Sequence, residues 1–350
     1  MNESTSGLAA GSISSASNQR NHKGEWRPAK PIVSAPICAW PPQPVKTLHW
    51  LFGRPGYIWP ENLFWFAVAA VTWVFLTPEL ATMKSLEVWW AAIILVRNYV
   101  LIGLVFGGMH YVLYIRKNQG DDLRYTTKPF ATNSKRFKFG HQVRDNMYHT
   151  LVFAVPIFTA YEVITYWLFA NNFIGFIDFH NPIAFWGWFA LLVLVAPMIH
   201  TAHFYFGHRL LHTKFLYKHF HSLHHKNVQV GPWSGLSMHP VEHIIYFSTV
   251  VVQWLIALHP LNALYQIHLA SFQPAPGHCG FEKMHVCDGM DLAAGSNFHY
   301  QHHKFFECNY GGNLVPLDQW FGTFHDGTEE ADRRLREKLK LRRKANAIME

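Results

Sequence analysis

Charge is scarce in this 350-residue chain. Asp, Glu, Lys and Arg make up 15% of it, against roughly 25% in soluble domains, while half of the residues are hydrophobic and 16% are aromatic. That balance excludes an ordinary soluble globule and points to a membrane protein with long polar loops, which bring the mean hydropathy close to zero. Cysteine is scarce too. Cys38, Cys279, Cys287 and Cys308 form no CxxC pair, so a thiolate zinc site, a redox dithiol and a disulfide framework are not expected, and scattered thiols suit a reducing face. Residues 1 to about 24 lack the apolar core of a signal peptide, and their Ser-, Gly- and Asn-rich composition reads as disordered. No solenoid-type repeat is present. The formal charge of +8 raises nucleic acid as a partner, but the basic residues flank apolar runs, so membrane topology accounts for them and no nucleic acid is expected.

What is present is a series of apolar runs. A Pro-rich connector (WPPQP at 40–44, GRPGY at 53–57) leads into candidate spans at 62–76, 88–115, 147–170 and 183–206, each near the ~20 residues a bilayer core demands once flanks are counted. Two shorter runs, 243–260 and 261–272, suit a helical hairpin that enters and leaves on one side. The expected fold is an all-α integral membrane protein of about four transmembrane helices, with this hairpin and a histidine-rich cytosolic cap. Arg97 and Asn98 interrupt the second run. A charge there costs ~2.5–3.5 kcal/mol on insertion scales, so both are expected to face the bundle and pair with Glu162; a substrate channel is the alternative. The loop from Arg116 to Arg144 carries eight Lys and Arg, whereas 171–182 carries none. With basic residues again at 207–226 and in the tail, the positive-inside rule places both termini and the histidine-rich region on the cytoplasmic side. An endoplasmic reticulum or a bacterial inner membrane is the expected host, since either gives this topology. The tail at 329–344 has the charge spacing of a solvated or membrane-surface helix.

Histidine is abundant. Residues 200–303 hold 17 of the 24, and three boxes stand out: His208 and His212 spaced i, i+4; His221, His224 and His225 spaced i, i+3, i+4; and His299, His302 and His303 in the same spacing. On helices these spacings stack imidazoles on one face. Gathering neutral imidazoles has metal binding as its physical reason. Eight histidines exceed the need of one tetrahedral ion, so two metals are indicated, and spacing alone leaves zinc, iron, copper and nickel open.

The set HRxxH, HxxHH and distal HxxHH after paired apolar spans resembles the fatty acid hydroxylase/sterol desaturase superfamily. The resemblance extends to Phe204-Tyr205 ahead of the first box, MHPVEH at 238–243, GHCGFE at 277–282 and NYGGNLVPLDQWFGTF at 309–324, and it covers roughly residues 147–326. Two departures stand out. Thr201 occupies the place, seven before the first box, where many relatives carry an acidic residue, and no HPGG-type haem motif marks a fused cytochrome-b5-like domain.

The resemblance implies a non-haem di-iron oxygenase that uses dioxygen and two external electrons to hydroxylate or desaturate a lipid, a sterol or related lipid first. The electrons then come from a separate cytochrome b5- or ferredoxin-like protein. It also implies the ligands His208, His212, His221, His224, His225, His299, His302 and His303, with His278, and then His243 or His239, as further ligands. Glu242 and Asp318 are candidates for orienting ligand imidazoles, with Asp318 alternatively capping a turn, and Tyr205 stands beside the first box. His219, two before His221, faces away and reads as surface or outer support. The expected organisation is a disordered, Pro-rich segment at 1–60, a helical hairpin with a basic loop at 61–146, the catalytic domain at 147–326 and a basic helix at 327–350. Competing readings are a fatty-acyl or alkyl-lipid hydroxylase, a haem-binding electron carrier, a zinc-dependent membrane hydrolase, for which no HExxH is present, and a non-catalytic homologue.

Overall fold

The computed structural model describes residues 20–21, 24–287, 290–293 and 295–349. Most of the N-terminal stretch read as disordered therefore lies outside the described residues. A short helix, α1 (Pro44–Phe52), leads into the membrane domain. Among the described residues, four helices are long and apolar enough to cross a membrane: α2 (Ile58–Leu76), α3 (Val88–Ile115), α4 (Gln142–Ala170) and α5 (Pro182–Leu211). They coincide with the four candidate spans and extend the third and fourth towards the cap. After α5 come the short α6 (Lys214–His219), a 3-10 helix at His221–Lys226, α7 (Pro240–Phe247) running into a 3-10 segment at Ser248–Leu255, α8 (Pro260–Phe272), α9 (Asn297–Phe305) and the tail helix α10 (Glu329–Met349). The sheet content among the described residues is one antiparallel hairpin, β1 (Lys283–Cys287) with β2 (Met290–Ala293).

The two marginal runs form the expected hairpin in shape. Its first leg is α7 with the 3-10 segment, its tip lies at 256–259, and its second leg is α8. The tip reaches the end of the bundle opposite the cap, where Leu258 N–H donates to Gly175 O and Trp188 Nε1 donates to Ala257 O. Each residue of α8 is buried, enclosed mainly by α2, α4 and α5. A 3-10 helix rises ~2.0 Å per residue against 1.5 Å in an α-helix, which stretches the first leg across the bundle. The core around it is aromatic and aliphatic: Trp90, Phe106, Phe158, Phe247, Leu264 and Phe272 are fully buried.

Arg97 and Asn98 face the bundle. Arg97 Nη2 pairs with Glu162 Oε1, Arg97 Nη1 donates to Thr77 Oγ1 at 3.1 Å, and Asn98 Nδ2 donates to Glu162 Oε2 and Thr159 Oγ1, each at 3.0 Å. One buried carboxylate thus clamps α3 to α4 and to the turn after α2.

The 116–141 loop, read from its charge as a topological signal, also builds a wall of the cap. Tyr125 N–H donates to Gly280 O, and Gln142 Nε2 donates to Asn227 Oδ1 and Gln229 O. The N-terminal segment departs from the sequence expectation. Trp26 is buried against Tyr125, Ile32 N–H donates to Asp326 O, and Arg27 pairs with Asp332. Composition concealed this because one tryptophan and one arginine anchor an otherwise polar, Pro-rich stretch.

Glu162→Leu leaves a buried guanidinium without its carboxylate and is expected to destabilise the bundle by about 3–5 kcal/mol. Arg97→Met added to Glu162→Leu should restore most of it. Thermal unfolding of the single and double variants in detergent checks this; equal losses in both would show that the ion pair is not the clamp.

Candidate metal centre

The three boxes meet at the cap end of α5. His208 lies in its last turn and His212 at its C-cap. The second box sits on the 3-10 helix at His221–Lys226 rather than on an α-helix. The third rides on α9, whose N-cap Ser296 accepts from His299 N–H at 3.1 Å and whose last turn is closed by Phe306 in the left-handed region, φ 65°. His278 ends the short turn Pro274–Gly277.

Nine imidazoles form two groups. His208, His212, His221, His225 and His302 place one ring nitrogen each within 4.8 Å of all the others, and His224, His278, His299 and His303 do the same. The boxes interleave. In the second, the i, i+4 pair His221 and His225 joins the first group while His224 joins the second; in the third, His299 and His303 join the second group while His302 joins the first. The groups abut, with 5.0 Å between the ring centroids of His225 and His303.

Hydrogen bonds decide what these rings present to one another. His208 Nδ1 donates to Tyr310 O at 2.6 Å, His302 Nδ1 to Cys308 O at 2.6 Å and His278 Nδ1 to Pro274 O at 3.0 Å. A carbonyl can only accept, so in each ring Nδ1 carries the proton and Nε2 a lone pair. His221 Nδ1 pairs with the buried Glu242 carboxyl, whose Oε1 lies 2.7 Å away. The Nε2 atoms then face each other at 2.9 Å (His208–His221), 3.1 Å (His212–His225 and His225–His302) and 3.1 Å (His278–His303 and His278–His299). Converging lone pairs repel without a cation. A metal with bonds of about 2.0–2.1 Å would space its nitrogens by about 2.9–3.3 Å at right-angled to tetrahedral geometry, so the donor set fits metal ions.

Burial keeps the cluster neutral. It pushes the His224 imidazole down to about 4 and His212 to about 3, and holds His221, His225, His278, His299, His302 and His303 well below the ordinary histidine value, with neighbouring imidazoles adding to the effect. A cavity of about 160 Å³ opens against both groups. His208 and His221 of the first and His224, His278 and His299 of the second line it, together with Phe204, Met238 and Tyr246.

Residues 193–323 match the fatty acid hydroxylase family model. Relatives include methylsterol monooxygenase 2-2 of Arabidopsis thaliana, 30% identical over 41% of this chain and 55% of the relative. A very-long-chain aldehyde decarbonylase of Oryza sativa subsp. indica is 31% identical over 41% and 56%. A Delta(7)-sterol 5(6)-desaturase of Gibberella zeae is 26% identical over 42% and 46%. Residues 193–323 are thus similar to the fatty acid hydroxylase family. The match spans about half the length of these curated relatives. No solved structure matches.

The remaining candidates take other positions. His239 and His243 join neither group. The reason lies in MHPVEH, which is a helix start: Pro240 occupies the first helical position, His239 is the N-cap, and its Nδ1 is spent accepting from Val241 N–H at 3.2 Å. Glu242 then faces His221, and His243, about 100° further round the helix, turns to Phe247 instead. Asp318 touches no imidazole. It accepts from the N–H groups of Tyr310 and Gly311 and from Thr323 Oγ1, and so shapes the loop that offers Tyr310 O to His208. Tyr205 packs under that loop, close enough that a Cβ on Gly311 would lie 3.1 Å from its ring. His219 is exposed. The partners that sequence reasoning missed are the carbonyls of Pro274, Cys308 and Tyr310, which no residue identity announces.

Glu242→Ala removes the acceptor that holds His221, and metal affinity is expected to fall about 10–100-fold in a competitive chelator titration. Depressed histidine values also give the metal-free protein a pH dependence. The unfolded chain takes up protons below about 6.5 whereas the folded cluster resists until about 4, so stability is highest above 6.5 and falls as the pH drops through that window. Chemical unfolding of chelated protein between pH 7.5 and 4.5 measures this; flat stability would contradict it.

Proposed function

We propose that the chain is a membrane-bound di-iron oxygenase that hydroxylates or desaturates a lipid, a sterol or related lipid first, with residues 147–326 as its catalytic part. The observation that carries this reading is the division of nine neutral imidazoles into two abutting groups beside one cavity at the end of the spans. Two ions can be held there within reach of one substrate. Five donors in one group exceed the four of tetrahedral zinc, and imidazole suits iron as well.

Iron bound there would supply the redox chemistry that oxidises an unactivated C–H bond with dioxygen, two external electrons and two protons, giving an alcohol and water. The chain's own residues do the rest. The carbonyls of Tyr310, Cys308 and Pro274 hold the Nδ1 protons of His208, His302 and His278, so the Nε2 lone pairs of those three rings face inward, and Glu242 fixes the ring of His221. Phe204, Met238 and Tyr246 line the cavity and keep bulk water from the reacting carbon. The lipid arrives from the bilayer. The electrons arrive from a separate cytochrome b5- or ferredoxin-like protein on the cytoplasmic side, where the Lys and Arg distribution puts the histidine groups and both termini. An endoplasmic reticulum or bacterial inner membrane suits this topology. Two of the relatives above are named for sterol chemistry, which ranks a sterol first; the decarbonylase likeness favours a fatty-acyl or alkyl-lipid substrate as the second reading.

Protein supplied with iron anaerobically and purified in detergent is expected to hold about two irons per chain. The double variant His224→Ala/His302→Ala, which removes one donor from each group, should hold far less. Metal analysis decides it. Zinc retained with no uptake of iron would end the oxygenase reading in favour of a hydrolase or a non-catalytic homologue.

A further inference from the structure

The side of the cavity furthest from the cap is lined by a polar residue that the chemistry above does not use. His200, Phe204 and His208 stand at i, i+4 and i+8 on α5, and all three line the cavity. Their rings form a ladder, with centroids 6.4 Å apart for His200–Phe204 and 4.8 Å for Phe204–His208. Eight residues at 1.5 Å each put His200 about 12 Å from His208 along the helix, away from the cap.

His200 is only 9% exposed, and its Nδ1 has no hydrogen-bond partner among the described residues. Its Nε2 lies 3.4 Å from Tyr246 Oη, a long contact. The Tyr246 hydroxyl donates to Ala270 O at 2.9 Å. A phenol has one proton, and here it is given to a carbonyl, so towards His200 the oxygen can only accept. Nε2 therefore carries the imidazole proton and Nδ1 is a buried lone pair. The polar neighbours on the same helix are engaged elsewhere: Thr201 Oγ1 donates to Pro197 O at 2.8 Å, and His203 Nε2 meets Ser248 Oγ at 2.9 Å. A buried acceptor without a donor is costly, and a site that leaves one on a ligand cavity discriminates for a ligand that supplies the donor.

We propose that His200 is a specificity-determining residue that accepts a hydrogen bond from a hydroxyl of the substrate, so that the site takes a lipid alcohol and holds its reacting carbon towards the histidine groups. This rests on the lipid-oxygenase reading above. A ketone, an ester or a hydrocarbon brings no donor to Nδ1. A sterol and a long-chain primary alcohol share the required chemistry, and the test separates them.

The test uses the full chain in phospholipid nanodiscs and two probe series: 5α-cholestan-3β-ol with the matching 3-ketone and hydrocarbon, and hexadecan-1-ol with hexadecanal and hexadecane. Wild type is expected to bind one alcohol about tenfold more tightly than its two counterparts, and which series shows this names the source. His200→Phe should reduce that preference to within about twofold with metal content unchanged, while His200→Gln, whose amide oxygen accepts, keeps part of it. Equal binding of all members of both series by wild type overturns the inference without reference to any variant, and so does an alcohol preference that survives in His200→Phe. Either result leaves the oxygenase reading standing if the iron-loaded protein still oxidises a lipid. Failure to bind or convert any of the six probes would remove both.

Discussion

Eight of the nine imidazoles turn a ring nitrogen towards a neighbour's across about 3 Å; where two lone pairs meet they repel unless positive charge lies between them, and burial penalises the imidazolium form that protonation would give. Much of the cap follows from that constraint. Carbonyls at Pro274, Cys308 and Tyr310 take the outer protons. Each of those carbonyls is itself fixed: Tyr310 by the loop that Asp318 ties together, Cys308 by the left-handed turns at Phe306 and Asn309, and Pro274 by the turn that ends α8. Gly280, at φ 83°, lets the chain pass between Tyr114 and Val230 where a Cβ would sit 2.4 Å from the Tyr114 hydroxyl.

The membrane domain answers a second constraint, that the cavity lies at the end of the spans while the histidine groups face the cap. The hairpin does this by running from the cap to the far end of the bundle and back, so that α8 is wrapped by the spans and its C-terminal end delivers Pro274 and His278 to the site. The deep charges of α3 and α4 are paired with each other rather than left as a path. Arg97, Asn98, Thr159 and Glu162 close on one another, which fits clamping better than a substrate channel.

Much of this was legible in the sequence because periodicity and chemistry agreed there. The four spans announce themselves by length, and the boxes by a spacing that serves little purpose besides converging rings. Glu242 and His278 were readable from short motifs. What was not readable had one cause: geometry carried by the backbone. His239 and His243 carry the right chemistry for a ligand, but Pro240 starts a helix that spends one as a cap and rotates the other away. The second box forms a 3-10 turn that no spacing rule distinguishes from an α-turn over six residues. Trp26 and Arg27 look like debris in a polar leader, yet they fasten it to the loop at Tyr125 and to the tail at Asp332.

His224 and His225 are joined by a single peptide bond and belong to different groups, as do His302 and His303. No motion of either backbone segment can open one group while leaving the other intact. The two groups are thus ordered by the same two backbone segments. Any displacement of one segment therefore disturbs donors of both groups at once, a coupling built into the connectivity of the chain itself.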